Sequence, residues 1–280
     1  MSNDQFENSV ADGEPLELYR FSYGTGSATT YTYCDGDVPV THESAVYAPL
    51  PIDREAINAS GNLDRSELAV EVPQDSPIAQ LFMAYPPSDV VGLTILRCHW
   101  DGTTITTPEA IWVGRVLAGN PEGYMSVLRC EPFTTSMARV GLRRHYQFMC
   151  PHVLYGTACG ANRAEHSTAS SVVSYDARSI TVPGLVSDQH AGGMVSWNPI
   201  GLPGERRTIL RVDRDVGAGT SRLTVAGRVN ELTVGFALEL ALGCRHNVSD
   251  CRDLFNNTPN FGGQPYIPGD NPHGSTRVYH

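Results

Sequence analysis

Lysine is missing altogether from this 280-residue chain, whose twenty basic side chains are all arginine. Its absence excludes Schiff-base chemistry on a lysine and the P-loop lysine of a nucleotide-phosphate site. Long apolar runs are missing as well, and nothing approaches the roughly 18–20 apolar residues that cross a bilayer. The start, MSNDQFENSVADGEPLELYR, has neither a basic n-region nor an apolar h-region. No signal peptide is therefore expected, and seven cysteines kept in a reducing cytoplasm are not expected to form a disulfide framework. Charged residues are scarce at 18% against 41% apolar, the balance of a folded chain with a real core.

Basic residues are scarcest where acids are plentiful. Residues 1–100 hold fifteen Asp and Glu against four bases, Arg20, Arg54, Arg65 and Arg97, and the remaining 180 residues are near neutral. Such a first third is unsuited to wrapping nucleic acid, whose affinity rests on neutralised phosphates. It is compatible with a surface past which DNA slides without adhering.

Turn residues are abundant: 27 Gly and 19 Pro punctuate short β-branched and aromatic runs, the pattern of a mainly β protein. Strands are predicted at 16–24, 30–34, 66–72, 92–100, 110–119 and 123–130, then at 179–182, 193–197, 208–212, 221–227 and 232–242. One short helix is predicted in DSPIAQLFMAYPP, capped by Asp75 or Ser76 and stopped by Pro86 and Pro87. The glycines of DRDVGAGTS lie between strands, so they read as a hairpin turn and not a phosphate cradle. A basic, turn-rich segment at 134–150 marks the expected boundary. It separates a first domain, 1–135, from a second, 136–269, with a flexible or docking tail at 270–280.

The cysteines fall into two groups. Cys34, Cys98 and Cys130 sit in apolar strands, where a free thiol behaves as a small buried hydrophobe. Cys150, Cys159, Cys244 and Cys251 lie in polar or Gly-rich loops, QFMCPHVLYGTACGANR and LGCRHNVSDCRDLF. The two loop pairs stand at opposite ends of the second domain, placed to tie its beginning to its end through a four-thiolate metal centre. Eight residues separate the first pair and six the second, wider than the C-x2-C knuckles that wrap one zinc ion and better suited to an iron-sulfur cube. Arg245 and Arg252, each directly after a cysteine, and Arg143 and Arg144 nearby are candidates to offset the negative charge of such a cluster. Zinc remains a competing metal, His152 and His246 allow a mixed Cys/His site, and four unligated thiols are the bland alternative.

At these residues the chain resembles the tail-tip hub proteins of long-tailed phages and gene transfer agents, the group that includes the phage lambda tail tip protein L. The stretch CPHVLYGTACGANR followed by GCRHNVSDCRDLFNNTPNFGGQPYIPG is similar to their C-terminal domain. The resemblance implies that Cys150, Cys159, Cys244 and Cys251 ligate a 4Fe-4S cluster. It also implies that Phe255, Asn257, Asn260, Phe261, Gly263, Pro265 and Pro268 form the wrap beneath it. Less specifically, LELYRFSYGT, the stretch from Ser44 to Phe82 and VVGLTILRCHW look like the β-barrel hub domain of the same proteins. The implied protein is a virion component assembled in the bacterial cytoplasm, a homotrimer joining tail-tube proteins to the central fibre or receptor-binding assembly. DNA would pass through it without specific binding.

An enzyme is not expected. No dinucleotide fingerprint follows a strand and precedes a helix, no recognisable carboxylate pair suggests a cell-wall hydrolase, and the loop cysteines are already assigned as ligands. A redox or cell-wall-degrading enzyme and a receptor-binding module, the latter motivated by Tyr266 and Tyr279, are the competing classes.

Overall fold

In the computed structural model, residues 6, 14–24, 29–57, 67–83, 85–138, 141, 146–199, 204–229 and 232–267 are described. The chain divides into two compact units, Met1–Arg139 with Asn198–Glu205, and Val140–Trp197 with Arg206–His280. Arg143, Arg144, Pro268, Tyr279 and the 270–280 tail lie outside the described residues.

The first unit holds β1 (Glu14–Tyr23), β2 (Thr29–Cys34), β3 (Val40–His42), β4 (Ala45–Pro49), β5 (Asp53–Arg54) and β6 (Leu68–Pro73). There follow α1 (Pro77–Met83), β7 (Val91–Trp100), β8 (Glu109–Glu122) and β9 (Met125–Pro132). The strands form one sheet in the order β3-β4-β2-β1-β7-β8-β9-β6-β5. Its pairs are antiparallel except β2 with β4, which run parallel.

Alternation along β1 explains the packing, because side chains of opposite parity leave opposite faces of a strand. Tyr19, Phe21 and Tyr23 enter a core shared with Val70, Leu93, Ile95 and Leu128, which α1 covers with Ile78, Ala79 and Phe82. The other parity, Leu16 and Leu18, joins a second cluster with Cys34, Val40, Tyr47 and Cys98. Cys34, Cys98 and Cys130 are fully buried, and burial pushes the Cys98 and Cys130 thiols up to about 12. The short helix starts as its sequence suggests: the Ser76 hydroxyl oxygen accepts from the Ala79 N–H at 3.3 Å.

The expected barrel does not form. The sheet stays open from β3 at one end to β5 at the other. Closure needs two end strands long enough to complete a ladder. Here they are three and two residues long.

The second unit holds β10 (Ser167–Ser171), β11 (Ser174–Asp176), β12 (Ser179–Pro183), β13 (Met194–Trp197), β14 (Glu205–Asp215), β15 (Thr220–Val225) and β16 (Ala237–Ala241), followed by α2 (Val248–Asp253). They form a second open sheet, β10-β16-β13-β14-β15-β12-β11. Ile180, Val182, Val195, Ile209, Leu223 and Leu240 are at the centre of its core. The Gly-rich stretch between β14 and β15 is a hairpin turn. Asp215 Oδ1 accepts from the Gly217 and Ala218 N–H groups at 3.0 Å, and Gly219 adopts φ +64°.

One ion cluster ties three strands of the first unit together. The Glu17 carboxylate on β1 accepts from Arg54 Nε at 2.7 Å, from Arg97 at 3.2 Å and from the Tyr19 hydroxyl at 3.0 Å. Burial pushes the Glu17 carboxyl up, but Arg54, Tyr19 and Arg97 outweigh it and hold the group below the usual carboxylate range. A depressed folded-state value contributes stability above the unfolded-state value of about 4.3, and that contribution is lost as pH falls through the folded value. Glu17→Gln is therefore expected to lower stability by about 1–3 kcal/mol at neutral pH. The gap should begin to narrow near the unfolded-state value of about 4.3 and close as pH falls through the depressed folded value. Urea unfolding at both pH values checks this, and a gap that persists in acid would contradict it.

Candidate metal centre

Two loops of the second unit contain no strand and contribute nothing to its main core. What holds them is local and directional. Ahead of the second loop, residues 191–193 pass residues 241–243 so closely that a Cβ on Gly243 would stand 2.0 Å from the Ala191 carbonyl oxygen. Glycine is required there. The Gly243 N–H donates to the Gln189 carbonyl at 2.7 Å, which fixes where Cys244 begins.

After Cys244 the chain turns into α2. Asn247 caps the helix, its Oδ1 accepting from the Asp250 N–H at 2.7 Å. The buried Asp250 carboxylate reaches back to the Arg245 N–H at 2.9 Å and to its guanidinium at 3.0 and 2.6 Å. Arg245 holds the Asp250 carboxyl below the usual range against the opposing effect of burial. The helix brings Cys251 inward and is followed by Phe255, whose ring meets His166 at 4.8 Å and Tyr155 at 6.1 Å.

The first loop is stitched to the second by His246. The Cys150 N–H donates to the His246 carbonyl at 2.8 Å, and His246 Nδ1 lies 3.1 Å from the Cys150 carbonyl oxygen. A carbonyl only accepts, so Nδ1 carries the hydrogen. His246 adopts φ +60°, and Tyr155 and Asn256 on the same loops adopt +60° and +46°. Backbone strain of this kind persists where surrounding contacts over-determine it. Tyr155 is anchored through its hydroxyl, which donates to the Leu242 carbonyl at 2.7 Å.

All four loop cysteines line one small pocket, partly open to solvent, together with His152, Leu154, His246, Asn247, Phe255, Asn257, Asn260 and Phe261. Three of the sulfurs have an N–H directed at them. The His246 N–H points to Cys244 Sγ at 3.3 Å, the Gly262 N–H to Cys150 Sγ at 3.4 Å, and the Asn257 amide to Cys159 Sγ at 3.8 Å. Cys251 Sγ instead donates to the Asn257 carbonyl at 3.2 Å. Burial pushes the Cys244 and Cys251 thiols up, and the neighbouring thiols add to the shift. A metal centre must displace those protons, and N–H groups aimed at sulfur favour the thiolate that results.

Among the described residues, no three His, Cys, Asp or Glu side chains are placed to hold a single metal ion. A zinc ion needs its thiolates about 2.3 Å from one point. A cluster takes one thiolate per iron, and four thiols with N–H groups directed at sulfur are a donor set that either kind of centre can use.

Phe255, Asn257, Asn260 and Phe261 line the same pocket as the four cysteines. Gly263 lies against the backbone of Phe148 and Met149, and Tyr266 is almost wholly exposed. Arg245 and Arg252 do not line the cavity and pair with Asp250 and Asp253. Two features escaped sequence reasoning, the Gly262 N–H on Cys150 and the Asn247 cap. The second had a signal, an Asn three residues before an Asp.

Asn257 is the hinge of this arrangement. Its amide donates to the Cys159 carbonyl at 2.6 Å, its Oδ1 accepts from Asn260 at 2.7 Å, and its carbonyl accepts from Cys251. Asn257→Ala is expected to weaken the loops by about 1–3 kcal/mol. Cys159 and Cys251 in the metal-free protein should then alkylate severalfold faster while amide protection in β12–β16 is unchanged, as read by mass spectrometry. Unaltered alkylation would contradict this role.

Residues 188–271 match a family model described as "Phage conserved hypothetical protein BR0599", a span that takes in Cys244 and Cys251. No curated protein matches the chain. Among solved structures, the chain is similar to one from the "Virion of native gene transfer agent (GTA) particle" at 14% identity and a TM-score of 0.79. That likeness covers 100% of this chain and 96% of the other, so the two-unit fold is one that a virion protein also adopts.

Proposed function

We propose that this chain is a structural protein of a phage-type virion, a tail-tip hub whose second unit is stapled by a 4Fe-4S cluster on Cys150, Cys159, Cys244 and Cys251. The observation that carries the reading is the convergence of four loop thiols, from two ends of one unit, on a single cavity with N–H groups directed at three of them. The full-length likeness to a chain of a gene transfer agent particle supports the virion setting and a structural rather than catalytic role. The match of residues 188–271 to a phage protein family supports it as well. In the hub reading, copies of this chain form a trimer that joins tail-tube proteins to the central fibre or receptor-binding assembly. The acidic first third favours a channel past which DNA moves without sticking.

The loops have little apolar material, so metal-binding free energy there becomes folding free energy. Protein purified anaerobically is expected to be brown, with broad visible absorbance and matching iron and sulfide. Cys244→Ser should lose both the colour and the assembled particle. Folded, colourless wild-type protein with stoichiometric zinc would replace the cluster by zinc, and peptidoglycan cleavage by the pure protein would overturn the structural assignment.

A further inference from the structure

His152 is a cavity residue that a four-thiol centre leaves unused. Its Nδ1 lies 3.1 Å from the Asn260 carbonyl oxygen. Because a carbonyl only accepts, Nδ1 bears the hydrogen and the neutral ring keeps its lone pair on Nε2. That Nε2 is buried and has no hydrogen-bond partner. Buried polar atoms are nearly always paired, so an unpaired one calls for a cause. The other cavity histidine, His246, has the same pinned Nδ1, but its Nε2 is not among the buried unpartnered atoms of the described residues.

The surroundings place this lone pair beside one particular thiol. A Cβ on Gly262 would stand 2.5 Å from His152 Nε2, and the Gly262 N–H is directed at Cys150 Sγ at 3.4 Å. Imidazole nitrogen and Cys150 sulfur thus flank the same glycine. An imidazole with Nδ1–H fixed on a backbone carbonyl and Nε2 bare is in the form that binds metal. No three-ligand set for a single ion is placed among the described residues.

We propose that His152 is a reserve ligand for the iron at the Cys150 corner, its Nε2 taking that position when the Cys150 thiolate is absent. The inference rests on the cluster reading above. In the exchange the thiolate leaves with its electron pair and is protonated by water, while Nε2 gives its lone pair to iron. No proton must leave the imidazole and no oxidation state changes. The centre becomes less negative by one charge, which raises its reduction potential.

The test uses the full chain, reconstituted anaerobically with iron and sulfide, as wild type, four single Cys→Ala variants, His152→Ala and the Cys150→Ala/His152→Ala double variant. Cys150→Ala is expected to keep full iron and sulfide, with a raised potential and a strongly coupled imidazole nitrogen in pulsed EPR of the reduced protein. The other three Cys→Ala variants and the double variant are expected to lose the cluster. Circular dichroism, with Cys150→Ser as a second variant, keeps the result readable where an alanine variant fails to fold. Loss of the cluster from folded Cys150→Ala or Cys150→Ser overturns the proposal. So does retention without nitrogen coupling, or retention in the double variant. Wild-type protein that takes up no iron and sulfide removes the centre itself, a separate outcome from failure of the reserve ligand alone.

Discussion

Cys150 and His246 hold each other by two backbone-directed hydrogen bonds, N–H to carbonyl in one direction and imidazole N–H to carbonyl in the other. The second unit's loops depend on this clasp, since Asn, Gly and Pro supply little surface to bury. Each such bond contributes about 1 kcal/mol net. Fixing one residue's backbone costs about 1–2 kcal/mol. The aromatic cluster around Phe255 and the Arg245–Asp250 pair add to what holds the loops in place. The positive φ at His246, Tyr155 and Asn256 is backbone strain that the surrounding contacts hold in place.

The sequence and the fold agree wherever the signal is local. The tyrosines and leucines of 16–24 alternate, and β1 buries them on two faces. Ser76 caps the one helix that its residues announce, and the Gly-rich stretch after Asp215 turns a hairpin. Barrel closure is not local: alternation reads the same for an open sheet as for a closed one, and the short ends β3 and β5 carry no pattern that distinguishes the two. Strand β10, STASS, is a run of small residues whose one strand-favouring side chain is Thr168, and it is held by pairing with β16.

At the candidate site the sequence identified residue types and missed partners. Four loop cysteines stood out because loops bury thiols poorly, and the cavity unites them. Of the arginines read as counter-charges, Arg245 pairs with Asp250 and Arg252 with Asp253. One acid of the first third is likewise paired with a base that lies later in the chain: Glu67, just ahead of β6, pairs with Arg129 on β9.

The seven thiols occupy two chemical worlds. Cys34, Cys98 and Cys130 are sealed among aromatic and aliphatic side chains, whereas Cys150, Cys159 and Cys244 are only half-buried. A diffusing peroxide meets the loop sulfurs first, because sulfur oxidation follows exposure and thiolate character. Oxidative injury to this molecule is therefore regional: it disables the loops that join the ends of one unit and leaves the nine-stranded sheet of the other intact.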